Sequence, residues 1–306
     1  MIIDAHAHIF SKIDGKKGLD NTSPQKYGKV LTGNIVSQML PPFLADSSFR
    51  AEMLINIMDY AKVDKAVLVQ NPVYGIINNE ISEAIRCFPD RFIGTIQVDP
   101  MCENAIEIIK RYVAPKQSIL KLELSQEWGW SGIHPGIKID NPQFVAIWEL
   151  ASDLELQVII DPGKINNPGY QVALFDKIFS RYPKIKFLLE HMGYLTSDLA
   201  DSIKAKQRWL DLIKLAKKDN VFLGFSAFCS LLDDDYPCIS SLNFLREAVS
   251  IVGSEKILWG SDVPVTLKKY TYEQMINVID KYATFLTINE KEKILGANAL
   301  NFFKNW

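Results

Sequence analysis

Histidine is scarce in this chain. Four are found among 306 residues, at His6, His8, His134 and His191. Cysteine is equally sparse, with Cys87, Cys102, Cys229 and Cys238 spread without any C-x-x-C spacing. That argues against a cysteine-based metal site and reads as free thiols in a reducing compartment, hence a cytoplasmic protein. No apolar run reaches the length needed to cross a membrane. The N-terminus enters a polar segment with no basic region and apolar stretch before it, so no secretory signal is expected. An excess of one charge is missing too: 34 Lys and Arg stand against 36 Asp and Glu, a net charge of -2. The short pairs Lys16–Lys17 and Lys217–Lys218 read as solvated faces, not as a phosphate-binding cluster. The expected partner is a small molecule, with neither nucleic acid nor membrane.

Half of the histidines lie in the opening stretch MIIDAHAHIF. Side chains alternate faces along a strand. If this segment is a strand, Asp4, His6 and His8 project one way, and Ile3, Ala5 and Ala7 the other. Two imidazoles side by side can share one metal ion, or they are simply partly exposed residues at a strand end.

Eight short runs rich in β-branched residues succeed one another: IIDAHAHI, KAVLVQNP, RFIGTIQVDP, ILKLELSQ, LQVIIDPG, IKFLLEHMG, NVFLGFSAF and KILWGSDVP. Between them lie segments with apolar residues at spacings of three and four. Asn141–Pro142 reads as a helix cap and first turn. Strands alternating with helices point to a parallel sheet, and eight of them close a (β/α)8 TIM barrel. A doubly wound sheet would place a Gly-rich turn after its first strand, and none is present. We expect one α/β domain over residues 1–306. A long lid-like loop, residues 11–46, comes after the first strand, and extra helices close the chain.

Barrel active sites are built at the C-terminal ends of strands. His6 and His8 fall there on strand one. Lys121, Glu123 and Ser125 share one parity on strand four, and Asp161 ends strand five. His191 ends strand six, on the parity of Phe187 and Leu189, which sets Glu190 aside. Asp262 ends strand eight. A divalent ion held by imidazoles and carboxylates, with one position open, acidifies bound water and polarises a carbonyl. A nearby aspartate can take the water's proton. His134 reads as a substrate contact or a plain loop residue. Trp128 and Trp130 would wall a planar substrate or anchor their loop. Lys121 either pairs with Glu123 or binds an anion. Ser226 reads as a barrel-lining residue without an assigned role.

The D-x-H-x-H opening, EHMG at a strand end and WGSDVP near the end resemble the amidohydrolase superfamily, its amidohydrolase-2 branch above all. The closing GANALNFF is similar to that branch's final helix. The resemblance runs from His6 to Phe303. It implies one divalent metal, zinc first with manganese as the alternative, held by His6, His8 and Asp262. Asp262 would also shuttle the proton. His191 would polarise the substrate, assist proton transfer or join the ligands. Where metal-dependent members end strand five with histidine, this chain reads IIDPG. Asp161 then either replaces that histidine as an oxygen ligand, or the metal is absent, as in lactonases that activate water with histidine and aspartate directly. The implied reaction is hydrolysis of a small carboxylated or cyclic substrate. Non-oxidative decarboxylation, metal-free lactone hydrolysis and a non-catalytic binding barrel are the alternatives. Lys121, His134 and Trp130 are the expected substrate contacts, and a homo-oligomer through the C-terminal helices is the expected assembly.

Overall fold

The computed structural model describes residues 1–197, 199 and 202–306. The chain begins with β1 (Ile3–Ala7) and then makes four short strands: β2 (Lys16–Lys17), β3 (Asp20–Pro24), β4 (Lys29–Thr32) and β5 (Ile35–Gln38). Seven more come after them: β6 (Lys65–Leu68), β7 (Phe92–Gln97), β8 (Ile119–Glu123), β9 (Gln157–Asp161), β10 (Lys186–Leu189), β11 (Val221–Phe225) and β12 (Ile257–Trp259). The strands β1 and β6 to β12 pair in parallel in sequence order. Asp262 N donates to His6 O at 2.8 Å and His8 N to Val263 O at 2.9 Å, which brings the last strand back to the first. This is the TIM barrel expected from the eight runs. Asn141 sits at the expected helix entry with Pro142 in the first turn, although the Asn141 side chain makes no capping bond.

Two apolar layers arise from the strand period of two. Ile3, Ala5, Val67, Ile93, Ile119, Ile159, Leu188 and Leu258 fill the barrel floor. Ala299, Phe302 and Phe303 of the closing helix plug that floor from below. These apolar residues of the closing helix are therefore spent on the barrel. Outward-facing Phe187 packs its ring on Trp148 and Phe179 of the surrounding helices. No helix among the described residues is long and apolar enough to cross a membrane.

Four expectations change. First, Asp4 does not share a face with His6 and His8. The register against β6 shifts between Asp4 and Ala7, which is the signature of a bulge. A bulge places two successive residues on one side and re-aims the rest of the strand. Ala5 therefore lies in the floor while His6 and His8 face the cavity above it, and Asp4 points outward. Second, Phe187 and Leu189 face the helices, so Leu188 and Glu190, of the other parity, are the inward residues and His191 lies past the strand end. Third, residues 11–46 are not a structureless loop, because β2 to β5 form an antiparallel four-stranded sheet. Fourth, Cys229 and Cys238 are joined in a disulfide, leaving Cys87 and Cys102 free. Proximity in the fold, which spacing does not reveal, pairs them, and the inference from free thiols to a reducing compartment falls for this pair.

In its outward position Asp4 holds the seam between β1 and β12. Its carboxylate accepts Ser261 N (2.9 Å), Ser261 Oγ (2.5 Å), Tyr272 OH (2.6 Å) and His6 N (3.0 Å). Burial raises its pKa to about 6 against these donors. Asp4→Ala strands four buried donors, and we expect a loss of about 2–4 kcal/mol in chemical denaturation. An unchanged midpoint would remove Asp4 from the seam. Because the folded state binds this proton more tightly than the unfolded chain does, Asp4 lowers stability as pH rises from about 4 to 6. Asp4→Asn should lack that part of the decline.

Candidate active site

A cavity of about 430 Å³ opens at the C-terminal ends of the barrel strands. His6 from β1 and His8 just after it, Asn71 after β6, Glu123 from β8, Asp161 from β9, His191 after β10 and Asp262 after β12 all line it. Ser37, Gln38 and Met39, in and just after β5, form part of its wall. So do Ala227, Ser230 and Leu231, at the start of the loop that the Cys229–Cys238 disulfide ties down. Two strands carry glycine where they pass the site. A side chain at Gly260 would meet His6 Cβ at 2.7 Å, and one at Gly224 would meet the Glu190 carboxylate at 2.6 Å. Only a residue without Cβ allows that approach.

The backbone is strained around the cavity. His191, Met192, Gly193 and Tyr194 all have φ between 52° and 70°. Ala227 and Asp262 also have positive φ, at 52° and 59°. Non-glycine residues meet a steric penalty there, and such residues gather at functional sites. The left-handed turn is what swings the His191 ring back over the barrel mouth.

The proton inventory of the histidines is set by their partners. His8 Nδ1 lies 2.7 Å from Val69 O, an atom that only accepts, so Nδ1 carries a hydrogen and Nε2 is turned toward Asp262. His6 Nδ1 lies 2.9 Å from Glu190 Oε2, in a contact bent away from ideal hydrogen-bond geometry. Burial raises the Glu190 pKa, but the opposing His6 outweighs it and the carboxyl is held low; His6 itself is lowered, chiefly by burial. The shared proton thus belongs on His6 Nδ1, and His6 Nε2 is turned toward His8 Nε2. These two nitrogens are 3.2 Å apart. Asp262 Oδ1 lies 3.0 Å from the His8 nitrogen and 3.6 Å from that of His6. Burial would raise Asp262, yet a hydrogen bond from His8 and the charge of the neighbouring imidazoles lower it to about 2. The three atoms therefore converge on one point, where a proton or a cation must lie among them.

His191 is different. Its Nε2 is 3.3 Å from Asp161 Oδ2, and its Nδ1 is 3.0 Å from Ser226 Oγ, which in turn donates to Glu190 at 2.8 Å. Acceptors at both nitrogens suit a doubly protonated ring. Burial opposes that, but Asp161 and then Asp262 and Glu190 carry its pKa up to about 9. Asp161 is held well below the usual carboxylate range, with His191 overriding its burial, and Gly163 N donates to its other oxygen at 2.7 Å. Asp161 thus engages His191 and stands outside the two groups of converging ligand atoms among the described residues. Those groups are His6, His8 and Asp262, and the deeper His6, Glu190 and His191.

The expected substrate contacts fare differently. His134 Nε2 holds both oxygens of Asp99 at 2.8 and 2.9 Å and stacks on Trp130, and neither ring lines the cavity. Trp130 is buried in the loop, while Trp128 reaches the wall. Lys121, on the same face of β8 as floor residue Ile119 and cavity-lining Glu123, is buried between them with Nζ 3.3 Å from Glu123 Oε2. Burial and the charge of Asp161 push Glu123 up to about 7. Asn71 Nδ2 donates to the same carboxylate at 3.1 Å. Sequence reasoning missed Glu190, Asn71, Tyr74 and Tyr194. For Glu190 no local signal was available, since the strand is apolar on both faces; only with Leu188 known to face inward does Glu190 follow two residues on.

The chain was compared with known proteins. The family model described as Amidohydrolase matches residues 3–304. A 2-amino-3-carboxymuconate-6-semialdehyde decarboxylase from Dictyostelium discoideum is 26% identical over 253 residues, 74% of this chain, and the match spans 65% of that relative's length. Among solved structures, a probable 2-pyrone-4,6-dicarboxylic acid hydrolase from Acinetobacter baumannii with citric acid bound covers 98% of each chain at 22% identity and a TM-score of 0.69. A zinc-bound amidohydrolase from Burkholderia multivorans covers 98% of each at 16% identity and 0.71. A 5-carboxyvanillate decarboxylase from Sphingomonas paucimobilis covers 81% of each at 17% and 0.59.

The Asp161–His191 pair generates a direct measurement. In metal-free protein the His191 ring resonances should titrate near pH 9 by NMR. Asp161→Asn should move that midpoint down, since removing the carboxylate leaves burial to act alone. A midpoint that stays put in the variant would show that Asp161 does not hold the proton.

Proposed function

Because the chain belongs to the amidohydrolase family, a family of hydrolases and decarboxylases, we propose that it is a metal-dependent hydrolase that directs water onto a small cyclic substrate. The observation that carries this reading is the triangle of His6 Nε2, His8 Nε2 and Asp262 Oδ1. Three such atoms this close need a proton or a cation among them, and the donor set of two imidazoles and a carboxylate suits zinc, with manganese the alternative. A bound divalent ion acidifies water and polarises a carbonyl oxygen.

The chain's own residues supply the rest. Val69 O and Glu190 orient the His8 and His6 rings through their Nδ1 atoms, the outer contacts that fix a ligand's tautomer. Asp262, ionised, accepts the proton of the attacking water. His191, held cationic by Asp161, faces the same cavity and offers positive charge to an oxygen that becomes negative as the substrate is attacked. Asp161 acts through His191 in this reading and is not one of the ligands.

A decarboxylase is the second reading, favoured by the curated relative. There Asp262 would hand a proton to carbon as carbon dioxide leaves. Product analysis separates the two: hydrolysis consumes water and releases no carbon dioxide.

Elemental analysis of the purified protein should find about one zinc or manganese per chain. His6→Ala should lose most of it. Metal-free wild type that takes up none when it is supplied would end the metal reading and leave direct activation of water by histidine and aspartate. Asp262→Asn should abolish turnover of a genuine substrate, a loss of at least about 10³-fold, while the denaturation midpoint holds, because an amide cannot accept the proton. Normal turnover by that variant would sink the assignment.

A further inference from the structure

One hydroxyl in the cavity wall has no partner inside the protein. Tyr74 is 3% exposed and lines the cavity, and its hydroxyl stays open to that space. The ring stacks on Phe10, with centroids 4.2 Å apart, and meets the His8 ring edge-on at 5.2 Å. No hydrogen bond to the hydroxyl is formed among the described residues, and what acts on it is burial and the charges of Asp262 and Glu123. Buried tyrosine hydroxyls normally find a partner. Burial and both charges push this phenol's pKa well above its ordinary value, so it stays neutral and keeps its hydrogen to donate.

The loop that carries Tyr74 is held by the insertion between β1 and β6. Pro72 O accepts from Lys16 N at 2.9 Å, Val73 O from Thr22 Oγ1 at 2.7 Å and Tyr74 O from Asp14 N at 3.2 Å. Gly15 passes so near that a Cβ there would collide with Pro72 O. Three successive carbonyls are thus pinned, which fixes the bearing of the phenol. Strand order sets the side it comes from. In the ring of eight, β6 and β10 lie four places apart. Tyr74, after β6, and His191, after β10, therefore enter from opposite sides, with β12 and its Asp262 midway between them. We propose that Tyr74 is a substrate-binding residue whose hydroxyl donates to a second oxygen of the substrate, across the cavity from His191. The substrate then bears two oxygen acceptors, as an ester, a lactone or a carboxyl group does. This rests on the hydrolase reading above and narrows its substrate class.

Methylphosphonate tests it, because its three oxygens can serve the cation site, His191 and Tyr74 together. Imidazole is the control: bound to the ion through one nitrogen, it has no acceptor left for the phenol. Affinities of both for zinc-supplied wild type and Tyr74→Phe are measured by calorimetry. Phenylalanine keeps the ring contacts and removes no hydrogen bond made within the described protein. In Y74F methylphosphonate should bind at least about tenfold more weakly, the worth of one hydrogen bond to a charged group. Imidazole should be unaffected. Equal methylphosphonate affinity in the two proteins overturns the proposal. So does an equal loss for both probes, which would place the effect on His8 and the ion instead of a direct contact, and so does a wild type that binds no methylphosphonate at any soluble concentration. On the wild type alone, methylphosphonate should red-shift a tyrosine absorption band and imidazole should not. Absence of that band overturns the proposal whether or not Y74F folds, and its persistence in Y74F assigns the contact to Tyr194. Metal content read on the same samples keeps the two readings apart. Metal held with methylphosphonate blind to the hydroxyl sinks this inference alone. No metal taken up, with methylphosphonate still lost in Y74F, sinks the metal assignment alone.

Discussion

The carboxylate of Asp4 joins the first barrel strand to the last, and the site exists because of that junction. Two backbone hydrogen bonds close the ring between His6, His8, Asp262 and Val263. They run through the very residues that face the cavity. Asp4 secures them from outside by gathering Ser261, Tyr272 and the His6 backbone onto one buried group. The bulge in β1 makes both jobs compatible, since it lets Asp4 point outward while His6 and His8 point in. Without the extra residue, a strand of this sequence would have to bury Asp4 in the apolar floor or turn the histidines to the helices.

Above the floor the barrel concentrates charge in a poorly solvated space. Glu190, Asp161, Glu123, Asp262 and Lys121 are held within one ring of strands with three of the four histidines. Each is tolerable because it is matched. Glu190 is matched by His6 and Ser226, Asp161 by His191, and Glu123 by Lys121 and Asn71. Such pairing is strongly directional, since removing one partner leaves the other buried and uncompensated. The same pairing separates two kinds of histidine by their second nitrogen. His6 and His8 are anchored at Nδ1 and turn their Nε2 atoms to one point, which suits a cation. His191 is occupied on both sides and carries the positive charge itself.

Much of this was legible in the sequence. The eight strands stood out because strands buried on both faces are short apolar runs, and the helices between them because their apolar spacing is three and four. The parity of Lys121 and Glu123 could be read directly, as β8 is regular. Three things could not be read. A bulge is one residue of slippage, so the pattern D-x-H-x-H looks continuous when the faces in fact change. The strand at Phe187 to Leu189 is apolar on both sides, so nothing local tells inside from outside, and Glu190 was lost to the wrong choice. The insertion is polar, with β5 wholly exposed, and shows no apolar alternation that would announce its sheet. The pairings of Asp161 with His191 and of His134 with Asp99 are tertiary facts, since each joins residues far apart in sequence.

The left-handed turn from His191 to Tyr194 has a consequence for how this protein can change. Three bulky residues occupy backbone angles that suit glycine, at a cost of roughly 1–2 kcal/mol each. Glycine at Met192 or Tyr194 would relax the turn, but both side chains are buried and losing either would cost more than the strain returned. The side chains that cause the strain therefore also lock the turn, and the His191 ring keeps its bearing. A hardened version of this protein is more safely built by changing its outer helices than by easing its most strained backbone.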